Sequence, residues 1–495
     1  MQRYPDMEKK MVDIKPIRPK YHLEVLSADE LNNIQTATLQ ILGTVGVRFP
    51  SERALNIFAE HGAQVDQEAQ IVRLPPDLVQ GAMSHAPRVY KIDGRSQGSS
   101  LLLDGTNSYF GTDGCGVETV DFESRERRAS TKEDVARMAR VADALSSIAF
   151  YWPMVSAQDF GKTAALHELD ASFNNTSKHV QTVTATSEPL ARYAVKMAEI
   201  VAGNRERMRE SPPMSALICT IAPLSQDKEA IEAAMTFAET GIPVGFMSMP
   251  TIGSTAPATS SGALVVGNAE LVSAMVLMQL VAPGAPVFYS LCASVMDPQT
   301  AEYLVSIPEK YKCNTAGVQL AHDWGVPSLG GAFSMDCPKP GSWQLGRDSV
   351  YTSMLTPLAG ADMVEGLGLL RAATLLSPEQ IIYDDEIYHT HRILAEGIET
   401  TPDQLALDVI TAVGPGGHFL GQKHTRRTIR DIWLPKLTHP DPTADSQPSS
   451  DTRERARATF ENILTQHRPQ PLPKDIQAEL LNIMNSVEED VFRKE

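Results

Sequence analysis

Between residues 105 and 370 short, almost wholly apolar segments alternate with longer ones in which apolar residues recur at helical spacing. The short segments, at 108–111, 148–155, 179–184, 216–222, 244–249, 287–292, 328–333 and 363–368, predict eight strands. Ala216-Leu217-Ile218-Cys219-Thr220-Ile221 is nearly continuous in apolar character, as in strands covered on both faces. The intervening segments carry helix signals. Ser130-Thr131-Lys132-Glu133 reads as a capping box, and Val135, Met138, Val141, Ala142 and Leu145 follow on one face. Gly203, Gly241 and Gly325 close the helices expected over 191–202, 227–240 and 309–324. Strict alternation predicts parallel strands joined by helical crossovers. Eight such units over 105–370 predict an α/β chain built on a closed (β/α)8 TIM barrel.

The flanks read as helical additions packed on that barrel. Residues 1–104 are mostly helical, with a capping box at Ser27-Ala28-Asp29-Glu30 and Leu31, Ile34, Ile41, Leu42 and Val45 on one face. Residues 371–495 are helical and charged, and the Pro/Asp/Ser-rich stretch from His439 to Asp451 predicts an exposed loop. The longest apolar run, Leu271 to Ala282, is about half the length of a membrane span and predicts a buried helix, with no membrane partner.

Composition narrows the function. Lys plus Arg number 44 against 61 Asp plus Glu, giving a net charge of -17, and no basic stripe stands out, which excludes nucleic acid as a partner. The first 25 residues lack an apolar core followed by a small-residue cleavage site, so a cytoplasmic location and a mobile N-terminal arm are expected. Cys115, Cys219, Cys292, Cys313 and Cys337 form no CxxC pair, which suits a reducing compartment and argues against a disulfide framework or structural zinc. His418 and His424 have no nearby third ligand, and His389-Thr390-His391 stands alone, so no metal is expected on this chain. Gly330-Gly331 lacks the Lys-Ser/Thr that a phosphate loop requires.

Several runs stand in a distinctive order. They are Ser108-Tyr109-Phe110-Gly111-Thr112-Asp113-Gly114, Asn175-Thr176-Ser177-Lys178-His179, Asn314-Thr315-Ala316-Gly317-Val318-Gln319-Leu320-Ala321 before Gly325-Val326-Pro327, Leu358-Ala359-Gly360-Ala361-Asp362, and Gly414-Pro415-Gly416-Gly417-His418-Phe419-Leu420 with His424-Thr425. Over roughly residues 24 to 437 this order resembles the trimethylamine methyltransferase family. The resemblance implies a (β/α)8 barrel whose open end docks a corrinoid-binding protein, the partner that carries the cobalamin cofactor, and a reaction in which Co(I) takes a methyl group from the substrate nitrogen. Some members of the family carry pyrrolysine near the end of the seventh strand, whereas Gly330-Gly331-Ala332-Phe333-Ser334-Met335-Asp336-Cys337 holds only standard residues. A tertiary amine leaves badly without protonation or covalent activation, but a quaternary ammonium leaves as a neutral amine. The resemblance therefore points to a small quaternary amine, glycine betaine first, with carnitine, proline betaine or another methylamine as alternatives. A homo-oligomer is expected.

In such a barrel the reacting groups lie at the C-terminal ends of the strands. A cation is well held by aromatic faces, and Tyr109, Phe110, Tyr151, Trp152, Phe246, Tyr289 and Phe333 all fall in or near strand ends, with ordinary core packing the alternative for each. Asp113 and Asp336 stand on strand-end loops, to balance the cation or to cap backbone amides. Glu365 lies inside the apolar eighth strand and needs a partner, in catalysis or in a structural network. His179, Gln181, Arg347 and His418 are the expected donors to a substrate carboxylate, with a place at the wrong end of the barrel the alternative for Lys178-His179 and a plain turn the alternative for Gly416-Gly417-His418. Two rivals remain: a Schiff-base lyase, for which Lys339 is the lysine nearest a strand end, and a non-catalytic scaffold that binds betaine or the corrinoid protein.

Overall fold

A computed structural model describes residues 13–96, 98–331, 336–438 and 451–492. Phe333, the N-terminal arm before residue 13 and nearly all of the loop expected from His439 onward lie outside these described residues. Eight strands form one parallel sheet whose spatial order follows the chain: β1 (Tyr109–Thr112), β2 (Phe150–Tyr151), β3 (His179–Thr182), β4 (Met214–Cys219), β5 (Val244–Ser248), β6 (Val287–Leu291), β7 (Leu329–Gly331) and β8 (Met363–Leu367). β8 pairs with β1, and the seam between β6 and β7 is held by one bridge, Tyr289 to Ser328, in which the Tyr289 amide donates to the Pro327 carbonyl at 2.9 Å. The sheet is thus an almost closed eight-stranded barrel, as the alternation predicts.

A long helix follows each strand: α1 (Lys132–Ala144), α2 (Ala164–Asn175), α3 (Glu188–Ala202), α4 (Lys228–Thr240), α5 (Ser260–Val281), α6 (Pro308–Asp323), α7 (Trp343–Leu358) and α8 (Gln380–Glu396). Their ends are set by local chemistry. The box at Ser27 and Glu30 forms as expected, but the one at α1 is built from Thr131 and Asp134, one residue later than the spacing predicts. Asp134 is fixed there by the Arg128 guanidinium, whose two terminal nitrogens donate to it at 2.7 and 2.9 Å, so Glu133 is left on the surface. The apolar α5 is a wall helix covered by the N-terminal helix at 28–44, and its Asn268 is satisfied by Gln35, Thr38 and Trp324. The C-terminal helices at 452–466 and 474–492 lie on α1 with α8 and on α2 with α3, respectively.

Strand parity divides the aromatic residues. Phe110 stacks edge-on against Tyr388 of α8, Tyr151 donates its hydroxyl to the Val135 carbonyl of α1, and Phe246 and Tyr289 pack with the helices around α4 and α5. All four face outward. Tyr109, Phe150, Trp152, Leu217, Met247, Phe288, Leu329 and Met363 fill the lumen instead. A hairpin, 90–92 with 101–103, plugs the N-terminal end with Ile92, Leu101 and Leu103. Two small sheets, one from 251–252, 294–296 and 303–304 and another from 118–120, 127–129, 369–370 and 375–376, arise from the loops that follow the strands at the opposite end.

Candidate active site at the barrel mouth

The buried residues nearest the C-terminal ends of the strands are polar, and they come from the ends of β1 and β8 and from α6. Asp113 follows β1, where its amide donates to the Leu367 carbonyl at 3.0 Å and its Oδ1 accepts from the Gly114 amide at 2.9 Å. Gly114 is required here, because a Cβ at that position would stand 2.1 Å from Trp152 Nε1. Glu365, on β8, is buried beside Asp113. From α6 come Lys310 and Asn314, one turn apart and so on the same face. Both are buried, and Asn314 Nδ2 lies 3.5 Å from the Gly331 carbonyl. A Cβ on Gly331 would stand 3.0 Å from Asn314 Nδ2, 3.0 Å from Glu365 Oε1 and 3.5 Å from Cys292 Sγ. The bare backbone of β7 is what lets these three groups converge.

Burial pushes both carboxyls upward from the ordinary range, and the Asp113 charge raises Glu365 further. Lys310 opposes both shifts without cancelling them. Two carboxyls facing each other in so dry a place resist being ionised together, so the pair holds a proton more readily than either carboxyl would alone. Trp152 Nε1, Gln181 Nε2, Lys310 Nζ and Asn314 Oδ1 are buried with no hydrogen-bond partner among the described residues. Native proteins rarely leave polar groups in that state, and four of them at one mouth mark a place where a ligand supplies the missing partners. Burial also holds the nearby thiols in the protonated form, raising Cys115 to about 12 and Cys219 to about 11, with Cys292 raised too. A thiol raised in this way is a poorer source of thiolate than a free cysteine.

Of the residues that the sequence nominates, the structure brings Asp113, Glu365 and Trp152 together. Asp336 lies nearby, but its carboxylate accepts from the Val305 and Ser306 amides at 2.9 to 3.1 Å, and its own amide donates to Ser306 Oγ. It clasps the loop after β6 to the loop after β7. Gln181, on the lumen side of β3 and level with Trp152 in the strand register, has a buried Nε2 with no hydrogen-bond partner among the described residues, whereas His179 sits toward the plugged end, satisfied by the Asp93 carbonyl and Ser215 Oγ, both at 2.9 Å. Tyr109 is at that end too, its amide paired with the Asp362 carbonyl ahead of β8. Arg347, on the exposed side of α7, is tied to Asp348 at 2.7 Å. His418 is exposed in the segment 397–438, whose three short helices bury none of their residues. Phe110, Phe246 and Tyr289 face the helix layer and cannot line the mouth.

Lys310 and Asn314 escape a search confined to strand ends, as does the Schiff-base reading that looks there for its lysine. A signal did exist. Both stand on the stripe that continues through Val318 and Ala321, so two polar residues occupy positions where the period demands apolar ones. Among the described residues no group of His, Cys, Asp and Glu is arranged to hold a metal.

Known proteins resemble the chain in sequence and in fold. The family model for trimethylamine methyltransferase (MTTB) matches residues 2–491. The chain is 33% identical over 473 residues to trimethylamine methyltransferase MttB of Desulfitobacterium hafniense, covering 95% of each chain. It is 31% identical over 469 residues to a glycine betaine methyltransferase of the Y51 strain of that organism, covering 93% of this chain and 96% of the other. Among solved structures, the monomethylamine methyltransferase of Methanosarcina barkeri is similar in fold, with a TM-score of 0.51 at 11% identity over 90% of each chain. With nearly its whole length matched by the family model and by relatives above 30% identity, the chain belongs to the trimethylamine methyltransferase family.

Proposed function

We propose that this chain takes a methyl group from a quaternary amine, glycine betaine, and passes it to the Co(I) corrinoid of a partner protein, leaving dimethylglycine. The observation that carries this reading is the Asp113 and Glu365 pair beside Trp152: two buried carboxyls next to an indole, in a mouth shut off from the far end of the barrel. The C–N bond breaks with its electron pair staying on nitrogen, so the substrate's positive charge disappears as the methyl carbon moves to cobalt. A tight ion pair would stabilise the starting state more than the transition state and slow the step. A carboxyl pair that resists full ionisation, its charge further offset by Lys310, holds the cation more loosely.

The corrinoid supplies the nucleophile. This chain's residues have to orient the N-methyl group toward the open mouth and keep water out. The absence of pyrrolysine from 330–337 favours a substrate that needs no activation. The test is methyl transfer from a panel of amines to reduced corrinoid, followed by the absorbance change from Co(I) to methyl-Co(III). Transfer from glycine betaine, with little from trimethylamine, dimethylamine or dimethylglycine, is expected. Efficient transfer from trimethylamine with none from any betaine would overturn the reading.

A further inference from the structure

Glycine betaine differs from simpler trimethylammonium compounds by its carboxylate, and the mouth contains a group suited to finding one. Lys310 is 0% exposed, yet its ammonium has no hydrogen-bond partner and makes no ion pair among the described residues. A buried ammonium with its N–H donors unspent is costly unless an anion completes it. Asp113 and Glu365 act on it only through space. One turn along α6, Asn314 has an Oδ1 with no partner among the described residues, while its side chain meets the Cys292 thiol and its Nδ2 makes a long contact to the Gly331 carbonyl. Because the oxygen and nitrogen of an amide can exchange places, this side chain can turn its NH2 toward a ligand. Lys310 and Asn314 therefore form a donor cluster on the α6 side of the mouth, facing the carboxyl pair and Trp152 on the β8, β1 and β2 side. The cluster is dipolar, positive at one edge and negative at the other, like a zwitterion in reverse.

We infer that Lys310, assisted by Asn314, binds the carboxylate of the substrate and so selects carboxylate-bearing quaternary amines over those without one. The inference rests on the methyl-transfer reading for the identity of the ligand's cationic end. The carboxylate is fixed to α6, one methylene away the nitrogen lies against Asp113, Glu365 and Trp152, and a methyl group is left toward the opening. Lys310 and Asn314 touch the substrate without entering the bond changes, so their removal alters selection more than chemistry.

Isothermal titration tests this with glycine betaine and with choline, which shares the trimethylammonium head but ends in a neutral hydroxyl. The wild-type chain should prefer glycine betaine. In K310M that preference should fall by about 10- to 100-fold, the range that corresponds to losing one charge-assisted buried contact. N314A should lower it in the same direction by a smaller factor, and this variant decides the matter should K310M fail to fold. Equal losses for both ligands in K310M would mean that Lys310 only balances the carboxyl pair, and the inference would be overturned. Failure of the methyl-transfer reading shows separately, in the wild-type chain, as transfer to cobalt from trimethylamine and from no betaine.

Discussion

In the proposed complex Asp113 and Trp152 hold the substrate cation by different physics, and substitutions separate them. Asp113→Asn combined with Glu365→Gln removes the pair's charge while keeping its shape, so the affinity for glycine betaine should fall, and its dependence on pH should flatten. In the wild-type chain, acidification protonates the pair and erases its negative charge. Because both carboxyls are raised, that loss should begin above the ordinary carboxylate value of about 4, and titration calorimetry across pH checks it. Trp152→Ala should weaken binding by roughly 1 to 2 kcal/mol, the scale of a desolvated cation on an indole face. Tyr289 provides the contrast. Its ring packs among the wall helices and its hydroxyl is buried without a partner, so Tyr289→Phe should leave binding unchanged and should not lower the melting temperature. Unchanged affinity in Trp152→Ala, or a binding defect in Tyr289→Phe, would place the cation elsewhere. Residue type pointed to both aromatics equally; only the period of two along each strand, counted from a register that the sequence does not print, separates wall from lumen.

At the scale of elements the chain was legible wherever a local rule acts alone. All eight strands stand where the apolar runs lie, and Gly203 and Gly241 close α3 and α4 with left-handed backbone, because φ of 95° and 86° suits a residue without Cβ. The box at α1 shows where local rules compete. Two acidic residues follow Thr131, and Asp134 becomes the cap because Arg128, on the strand at 127–129, reaches it and also reaches Asp121 at 3.0 Å. Asp134→Ala removes the cap and leaves Arg128 short of one partner, so it should cost about 1 to 3 kcal/mol. Glu133→Ala loses only an exposed pair with Arg140 and should fall within about 0.5 kcal/mol of wild type. Chemical denaturation of the two variants ranks them, and the reverse order would restore the box read from spacing. Lys310 and Asn314 were hidden by the same tertiary logic, since a helix ordinarily presents its apolar stripe to the sheet and here presents two polar side chains at its mouth-ward end.

For the molecule as a whole, acid should find its weak points in buried histidines rather than at the surface. Burial lowers both His179, in the lumen, and His391, between α7 and α8, from 6.5 to about 4. Each is neutral when folded and takes up a proton when unfolded over that interval, so the unfolded chain binds more protons and stability falls as pH falls from about 6.5 to about 4. A full shift of this size is worth roughly 3 kcal/mol per histidine. Buried acids oppose the trend. Asp384 is raised to about 8 and Glu168 and Glu270 are raised too, all mainly by burial, so each favours the folded chain as pH falls through its raised value toward about 4. Wild-type stability alone therefore mixes the two signs, and a variant is needed to isolate one. Ser353 donates its hydroxyl to the Ser349 carbonyl, so the His391 contact at 3.0 Å has Nδ1–H donating to Ser353 Oγ, a role that an asparagine amide can fill. His391→Asn keeps that donor and cannot titrate. Measured by denaturation at several pH values, its stability relative to wild type should improve as pH drops from about 6.5 to about 4, by up to roughly 1.4 kcal/mol per pH unit. A constant difference between the two proteins across that range would show that His391 is already protonated in the folded chain, or that its pocket opens to water before it titrates.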